Sequence, residues 1–468
     1  MKHRSTGASR RSFLKTTGAA ALAAGLFPMI VPSRAFGANS RLNIAVLGCG
    51  DRAGQILPSA LRPGENVVAL CDVNATRLAR MKKDVEKDLQ KDGLLESAKV
   101  YDDYRKLLAA EKGIDAVIVA AGQRWHTHMS KAALLAGKHV FCEKPLAHTC
   151  QEARDLRDLG KLHGAKLATQ VGSQGGTSDT FRRVMEVIQA GIIGQVKESH
   201  AWINRSFPKS AKFDPNADPI PEGLNWDAWC GPSAVLPFKK SYLGGCLAWG
   251  RWLEFGDGHL ADMGAHGLNL PWRALKLGHT TGCTVTVGEP VLDAYPSSTT
   301  FKWDFAAREG FAATTLFWHD GPKAGPPEEA RQAVIAQFGP KSMGDGVVFI
   351  GEKGLIKTGA WGTGGMVKLN GEDKFRGVQE HAECKPVPVT LPRQKGQNHM
   401  QEWLDACKGI TKTFQPFESA ASIAEVAMVG MVALRLNKPI EWDGENLKVK
   451  NDPNADAWVR KAPRDKWL

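Results

Sequence analysis

The sequence predicts an α/β protein of two units. A doubly wound parallel sheet comes first, then an α+β unit built on a large, mostly antiparallel open sheet. Three observations predict this. Short apolar runs alternate with helix-like stretches through residues 42–142. The first run enters a glycine-rich turn directly. Beyond about residue 167 the alternation gives way to longer connections. The 468 residues, 43% apolar and 24% charged, suit two or three globular domains and argue against a disordered or fibrous chain.

Residues 1–38 read as an address, not as structure. Ser9-Arg10-Arg11-Ser12-Phe13-Leu14-Lys15 precedes an apolar, Ala-rich stretch over 19–31, then the small residues Ala35, Gly37 and Ala38. Paired Arg, apolar centre and small-residue exit resemble a twin-arginine export signal. The apolar stretch is shorter than the roughly 20 residues that span a bilayer. Cleavage is expected between Ala35 and Ala38, with an uncleaved anchor as the alternative. The implied partner is the twin-arginine export machinery, and the implied location is periplasmic or otherwise exported. The segment also carries six Lys and Arg and no acid, which is half of the chain's net +12. The rest shows no basic run interleaved with aromatics, so no nucleic-acid partner is expected. Nine cysteines without a CxxC pair read as scattered buried thiols.

The elements follow in order. Residues 42–47 form a short apolar strand that runs into Gly48-Cys49-Gly50-Asp51-Arg52-Ala53. This is a GxGxxA turn opening a helix over 55–61, with Pro58 expected in its first turn. Gly48 permits the tight turn, and Gly50 admits a pyrophosphate close to the backbone. Ala53 keeps helix and strand close, while Asp51 and Arg52 stand at the helix start. A second strand, 67–71, ends at Asp72, 24 residues after Gly48. A carboxylate there accepts ribose hydroxyls and repels a 2′-phosphate, which favours NAD; the nearby Arg77 leaves NADP open. A helix over 103–112, a strand over 116–121, a helix over 129–136 and a strand over 138–142 complete the unit. The domains are expected at 1–38, 39–166 and 167–468.

The last strand leads into Cys142-Glu143-Lys144-Pro145. A second motif lies at Asp262-Met263-Gly264-Ala265-His266. With these residues the chain resembles the Gfo/Idh/MocA oxidoreductases, whose members include glucose–fructose oxidoreductase and inositol dehydrogenase. It is most similar to secreted bacterial members with a long second domain. Gly172-Ser173-Gln174, Trp226-Asp227 and Glu441-Trp442-Asp443-Gly444 carry the same likeness. The resemblance implies an N-terminal Rossmann domain, a second domain covering the nicotinamide, and a homo-oligomer. Two positions depart from the family. Asn269 stands where many relatives carry Asp, and Ala121-Gly122-Gln123-Arg124-Trp125-His126 replaces a T-P-D-H-x-H stretch. His126 is the secure match there and is expected at the cofactor, with Glu143 and Lys144.

Alcohol oxidation needs a hydride acceptor and a proton acceptor. His266 fits the second by residue type, since imidazole ordinarily titrates near pH 6.5. Lys144, at a strand end, would stabilise charge on the reacting oxygen. Asp262, four residues before His266, would orient the set on one helical face. His259, Asp262 and His266 have a spacing that permits a metal, but none is expected. Arg251 and Trp252 are the candidate substrate contacts, with Gln174, because flat aromatic faces suit sugar rings. The reading is an exported NAD(P)-dependent oxidoreductase that moves hydride between a tightly bound cofactor and a sugar or cyclitol. The alternatives are an NAD-dependent glycoside hydrolase acting by transient oxidation and elimination, and a non-enzymatic sugar or dinucleotide sensor.

Overall fold

A computed structural model describes residues 41–468, apart from 62–63, 92–96, 465–466 and 468. The expected export signal over 1–38 lies outside the described residues.

The first unit is the doubly wound sheet. In chain order it comprises β1 (Asn43–Leu47), α1 (Asp51–Leu61), β2 (Asn66–Cys71), α2 (Ala75–Lys91), β3 (Lys99–Tyr101), α3 (Tyr104–Ala110), β4 (Ala116–Val119), α4 (Gln123–Leu135), β5 (His139–Cys142), α5 (Cys150–His163) and β6 (Thr169–Val171). All six strands are parallel, in the order β3-β2-β1-β4-β5-β6. The order reverses between β1 and β4, where doubly wound sheets open a crevice for ligands. β6, which lies past the expected boundary at 166, pairs with β5 in this sheet.

Two helix starts differ from expectation. α1 begins at Asp51, straight after the glycine turn, which puts Pro58 inside the helix and not in its first turn. α4 begins at Gln123 behind the extended Gly122, so the stretch that departs from the family motif is a helix start.

The second unit opens with α6 (Asp179–Gln189) and β7 (Val196–Ile203), followed by five short helices. These are α7 (Trp226–Cys230), α8 (Cys246–Gly250), α9 (Gly258–Asp262), α10 (Gly264–Gly267) and α11 (Asn269–Ala274). Strands β8 (Gly282–Val287), β9 (Thr299–Phe305) and β10 (Thr314–Asp320) come next, then α12 (Glu328–Phe338). The chain continues through β11 (Gly346–Gly351), β12 (Gly354–Gly359), β13 (Met366–Leu369) and β14 (Arg376–Gly377). It ends with α13 (His399–Cys407), α14 (Phe417–Leu436), β15 (Ile440–Asp443), β16 (Lys448–Val449) and α15 (Asp456–Val459).

The ten strands order as β14-β13-β12-β11-β7-β10-β9-β8-β15-β16. Among the described residues the pairs are antiparallel except β7 with β10. β9 and β10 alternate buried and half-buried residues, as strands with one covered face do. The covered face packs Phe301, Trp303, Leu316 and Trp318 against α6 and α14. On the other face α12 covers part of the sheet through Val334, above Trp202 and Val348.

The late helices return to the first unit. Met400, Trp403 and Leu404 of α13 enter one of its cores, and Phe417, Ala420 and Ala421 of α14 enter another. α14 is long and apolar enough to cross a membrane, but it is mostly buried here as a core helix.

Candidate active site

The turn after β1 is dictated by its glycine. Gly48 has φ +92°, and a Cβ there would sit 2.7 Å from the Ala120 carbonyl and the Ala121 nitrogen. Only glycine lets the ends of β1 and β4 meet so closely. The leading N–H groups of α1 have no partner within the helix, which makes its start suited to an anion. At the end of β2, the Asp72 carboxylate accepts from Cys49 N at 2.7 Å and Asn74 N at 2.8 Å. Burial raises its pKa, and these bonds oppose the rise. Each carboxylate oxygen keeps a lone pair for a further donor, such as a ribose hydroxyl. Ala53 is fully buried in the core beneath α1, where it holds helix to strand.

At the end of β5, Glu143 pairs with Arg52 at 2.8 Å. Gly172 leaves the space for it, since a Cβ there would fall 2.5 Å from the carboxylate carbon. The Gln174 amide, oriented so that both its atoms are satisfied, accepts from Arg52 and donates to Gly172 O at 3.2 Å. The start of α1 is thus tied to the strand end that carries Lys144.

Lys144 Nζ lies 2.5 Å from Asp262 Oδ1. Burial pushes the Asp262 carboxyl up, but the neighbouring ammonium outweighs it and holds the group below its ordinary range. His266 is buried, and its Nδ1 has no hydrogen-bond partner. Burial first, and the Lys144 ammonium second, lower its pKa to about 3. The sequence suggested an imidazole poised near pH 6.5; the structure holds it neutral far below that. The single helix expected here is broken at Met263 and Leu268 into α9, α10 and α11. Asp262 and His266 nevertheless line the same cavity.

That cavity, of about 540 Å³, runs from Gly48, Gly50 and Asp72 to Lys144, Asp262 and His266. Asp51, Arg52, Glu143 and Gln174 line it as well. A dinucleotide fits this set. The glycine turn and helix start would hold the pyrophosphate, Asp72 a ribose, and the Lys144 end the nicotinamide.

Three residues, Arg251, Trp252 and His126, sit otherwise than expected. Arg251 and Trp252 do not line the cavity. Trp252 stacks on Phe213 with centroids 5.1 Å apart, and Arg251 lies over Trp252 and donates to Lys209 O. His126 lines the cavity, but both ring nitrogens face backbone carbonyls, Nδ1 2.6 Å from Pro145 O and Nε2 3.0 Å from Ala121 O. His259 stacks on Phe207 at 3.9 Å, and among the described residues no group of three candidate ligands could hold a metal.

Sequence reasoning missed the roof of the cavity. Residues of α7 and α8, including Trp229, Cys246 and Trp249, line it from the second unit. Arg124 of α4 is buried with its guanidinium 3.8 Å from the Trp229 ring centre, and it donates to Trp229 O and Cys230 O. The departure at 121–126 was the available signal. It puts Arg124 where the stretch carries its first His and Trp125 at the variable position, and both bond to backbone carbonyls of this roof.

Comparison with known proteins agrees with this fold. Residues 42–171 match the Gfo/Idh/MocA family model, described as an oxidoreductase family with an NAD-binding Rossmann fold. Inositol 2-dehydrogenase of Serratia proteamaculans is 33% identical over 156 residues, 33% of this chain and 43% of that protein. A glycosyl hydrolase family 109 protein of Shewanella sp. is 28% identical over 213 residues, 42% of this chain and 46% of that protein. The matches thus span under half of these curated relatives. Among solved structures, an inositol dehydrogenase homologue of Azotobacter vinelandii, complexed with NADH and myo-inositol, superposes with a TM-score of 0.57 at 17% identity. It covers 86% of this chain and 98% of that one. At that identity the likeness concerns the fold, and it extends through both units.

Proposed function

We propose that the protein is an exported NAD-dependent oxidoreductase that moves hydride between a tightly bound nicotinamide cofactor and a hydroxyl or ketone of a sugar or cyclitol. The observation that carries this reading is the Lys144–Asp262 contact beside His266, at one end of a cavity whose other end is a dinucleotide turn. When bound, the cofactor supplies a hydride acceptor. The chain supplies the proton chemistry. The Lys144 ammonium, held by Asp262, donates to the alcohol oxygen and stabilises the charge that develops there. The neutral imidazole of His266 accepts the hydroxyl proton, and Asp262 offsets the second positive charge this creates beside Lys144. The reverse steps reduce a ketone.

Tight retention is supported by how the second unit closes over the ribose end. Asn225 N donates to Val73 O at 3.0 Å, Ala75 N to Gly223 O at 2.9 Å, and Arg77 Nη2 to Leu243 O at 3.0 Å. A retained cofactor suits an exported enzyme, since twin-arginine export carries folded proteins and a cofactor can be loaded beforehand. Export itself rests on the sequence of residues 1–38, which fits cleavage between Ala35 and Ala38 or retention as an anchor. The partly covered sheet face offers a surface for a homo-oligomer. NADP is the less favoured cofactor, because Asp72 stands where a 2′-phosphate would sit.

The test is spectroscopic. Purified protein should carry dinucleotide by mass spectrometry, and a member of a sugar and cyclitol panel should raise the reduced-nicotinamide absorbance. Protein that is reproducibly empty, or unresponsive to every member, counts against the reading. The Shewanella relative favours a second reading, in which transient oxidation acidifies a neighbouring C–H and permits glycoside elimination. Aryl glycosides separate the two: released phenol without net reduced cofactor supports the hydrolase.

A further inference from the structure

Gln123 opens α4 and is only 1% exposed. Its carboxamide is engaged on both sides. Oε1 accepts from Asp257 N at 3.2 Å. Nε2 donates to Ala147 O at 2.7 Å and to Asp257 Oδ2 at 2.8 Å. Ala147 lies three residues after Lys144, and Asp257 immediately precedes α9, which ends at Asp262. The two segments bridged by this amide are therefore the two that meet in the Lys144–Asp262 contact.

The first turns of α4 hold the Lys144 loop along its length. His126 Nδ1 lies against Pro145 O at 2.6 Å, and Thr127 Oγ1 donates to Leu146 O at 3.2 Å. With Gln123 on Ala147 O, side chains of one helix contact three successive carbonyls of this loop. Of these three side chains, Gln123 alone continues to α9. We propose that Gln123 is a positioning residue, which sets the Lys144 loop in register with the helix bearing Asp262 by bonding to both. This rests on the reading of Lys144 and Asp262 as reactive groups.

The residue type is what the geometry requires. A carboxamide offers a donor and an acceptor from one rigid plane. Glutamate would lose the donor and face the Asp257 carboxylate with a like charge. Methionine fills similar space but would leave the buried Ala147 carbonyl and Asp257 N–H without partners.

The test compares wild type with Gln123→Met, Gln123→Glu and the double variant Gln123→Glu/Asp257→Asn, each purified with its bound cofactor. In the double variant the amide introduced at position 257 can donate across the 2.8 Å contact, but Ala147 O still faces a carboxylate oxygen and lacks its donor. Because a displacement of about 1 Å at a reacting centre costs on the order of a hundredfold, Gln123→Met should lower kcat by roughly ten- to a hundredfold while KM and cofactor content stay within about threefold. Gln123→Glu should fall as far, and the double variant should stay within about threefold of Gln123→Glu, because Ala147 O still lacks its donor. Amide hydrogen exchange across 145–149 and 257–263 should accelerate in Gln123→Met. A Gln123→Met kcat within about twofold of wild type, a double variant restored to within about twofold of wild type, or unchanged exchange overturns the proposal. Wild-type protein that turns over no sugar counts against the oxidoreductase reading alone, and the exchange measurement then decides the role of Gln123.

Discussion

Replacing Lys144 with alanine removes the cation that, among the described residues, pairs with Asp262. Two consequences can be worked out. The reacting oxygen loses a charged donor, and such losses cost about 2.7–4 kcal/mol, or roughly a hundred- to a thousandfold in kcat. Asp262, in turn, keeps its burial and loses the ammonium that held its pKa down. Its carboxyl then moves up. Both members of the pair are 16% exposed, so the variant should lose about 1–3 kcal/mol of stability near neutral pH. The sign in pH follows from the direction of the shift. A depressed carboxyl stabilises above its ordinary pKa near 4 and loses that contribution as the pH falls below it. The stability gap between variant and wild type should therefore close in acid. The assay is a single-turnover measurement of reduced-nicotinamide absorbance on cofactor-loaded protein, with urea titrations at several pH values alongside. A kcat within tenfold of wild type would refute the reasoning, as would a gap that widens in acid.

Two further outcomes follow. The buried His126, His266 and His399 have pKa values lowered to about 4, 3 and 4, chiefly by burial. The unfolded chain takes up protons from about pH 6.5 downward that the folded chain refuses, so stability should fall below that pH by up to about 1.4 kcal/mol per pH unit for each group; a flat urea midpoint between pH 6.5 and 5 contradicts this. Asp72→Ala should weaken NAD more than NADP in calorimetric titration of stripped protein, and equal losses would mean that the ribose contact is misassigned.

Much of the site was legible because it is local. A glycine turn, an Asp at a strand end, Glu-Lys-Pro and an Asp and His four apart each carry their chemistry within a few residues. What was not legible depends on long-range packing. The return of α13 and α14 onto the first sheet joins residues more than two hundred positions apart, as where Trp403 packs against Phe141. β9 alternates cleanly yet was not anticipated, and α12, with a weakly amphipathic sequence, was not anticipated either. Arg251 and Trp252 drew attention by type and by nearness in sequence to Asp262. The breaks at Met263 and Leu268, and the packing of Trp252 on Phe213, turn that stretch another way. The imidazole's pKa was misjudged for the same reason, because burial and a neighbouring ammonium are properties of the fold.

The central claim is that Lys144, Asp262 and His266 act on one alcohol beside a nicotinamide. The most direct measurement is a crystal structure of the protein with its dinucleotide and a sugar that reduces it. The account predicts a carbinol oxygen within hydrogen-bond distance of both Lys144 Nζ and the His266 ring, with the nicotinamide against the same carbon. A sugar seated away from Lys144, or a nicotinamide at the Asp72 end, would contradict it.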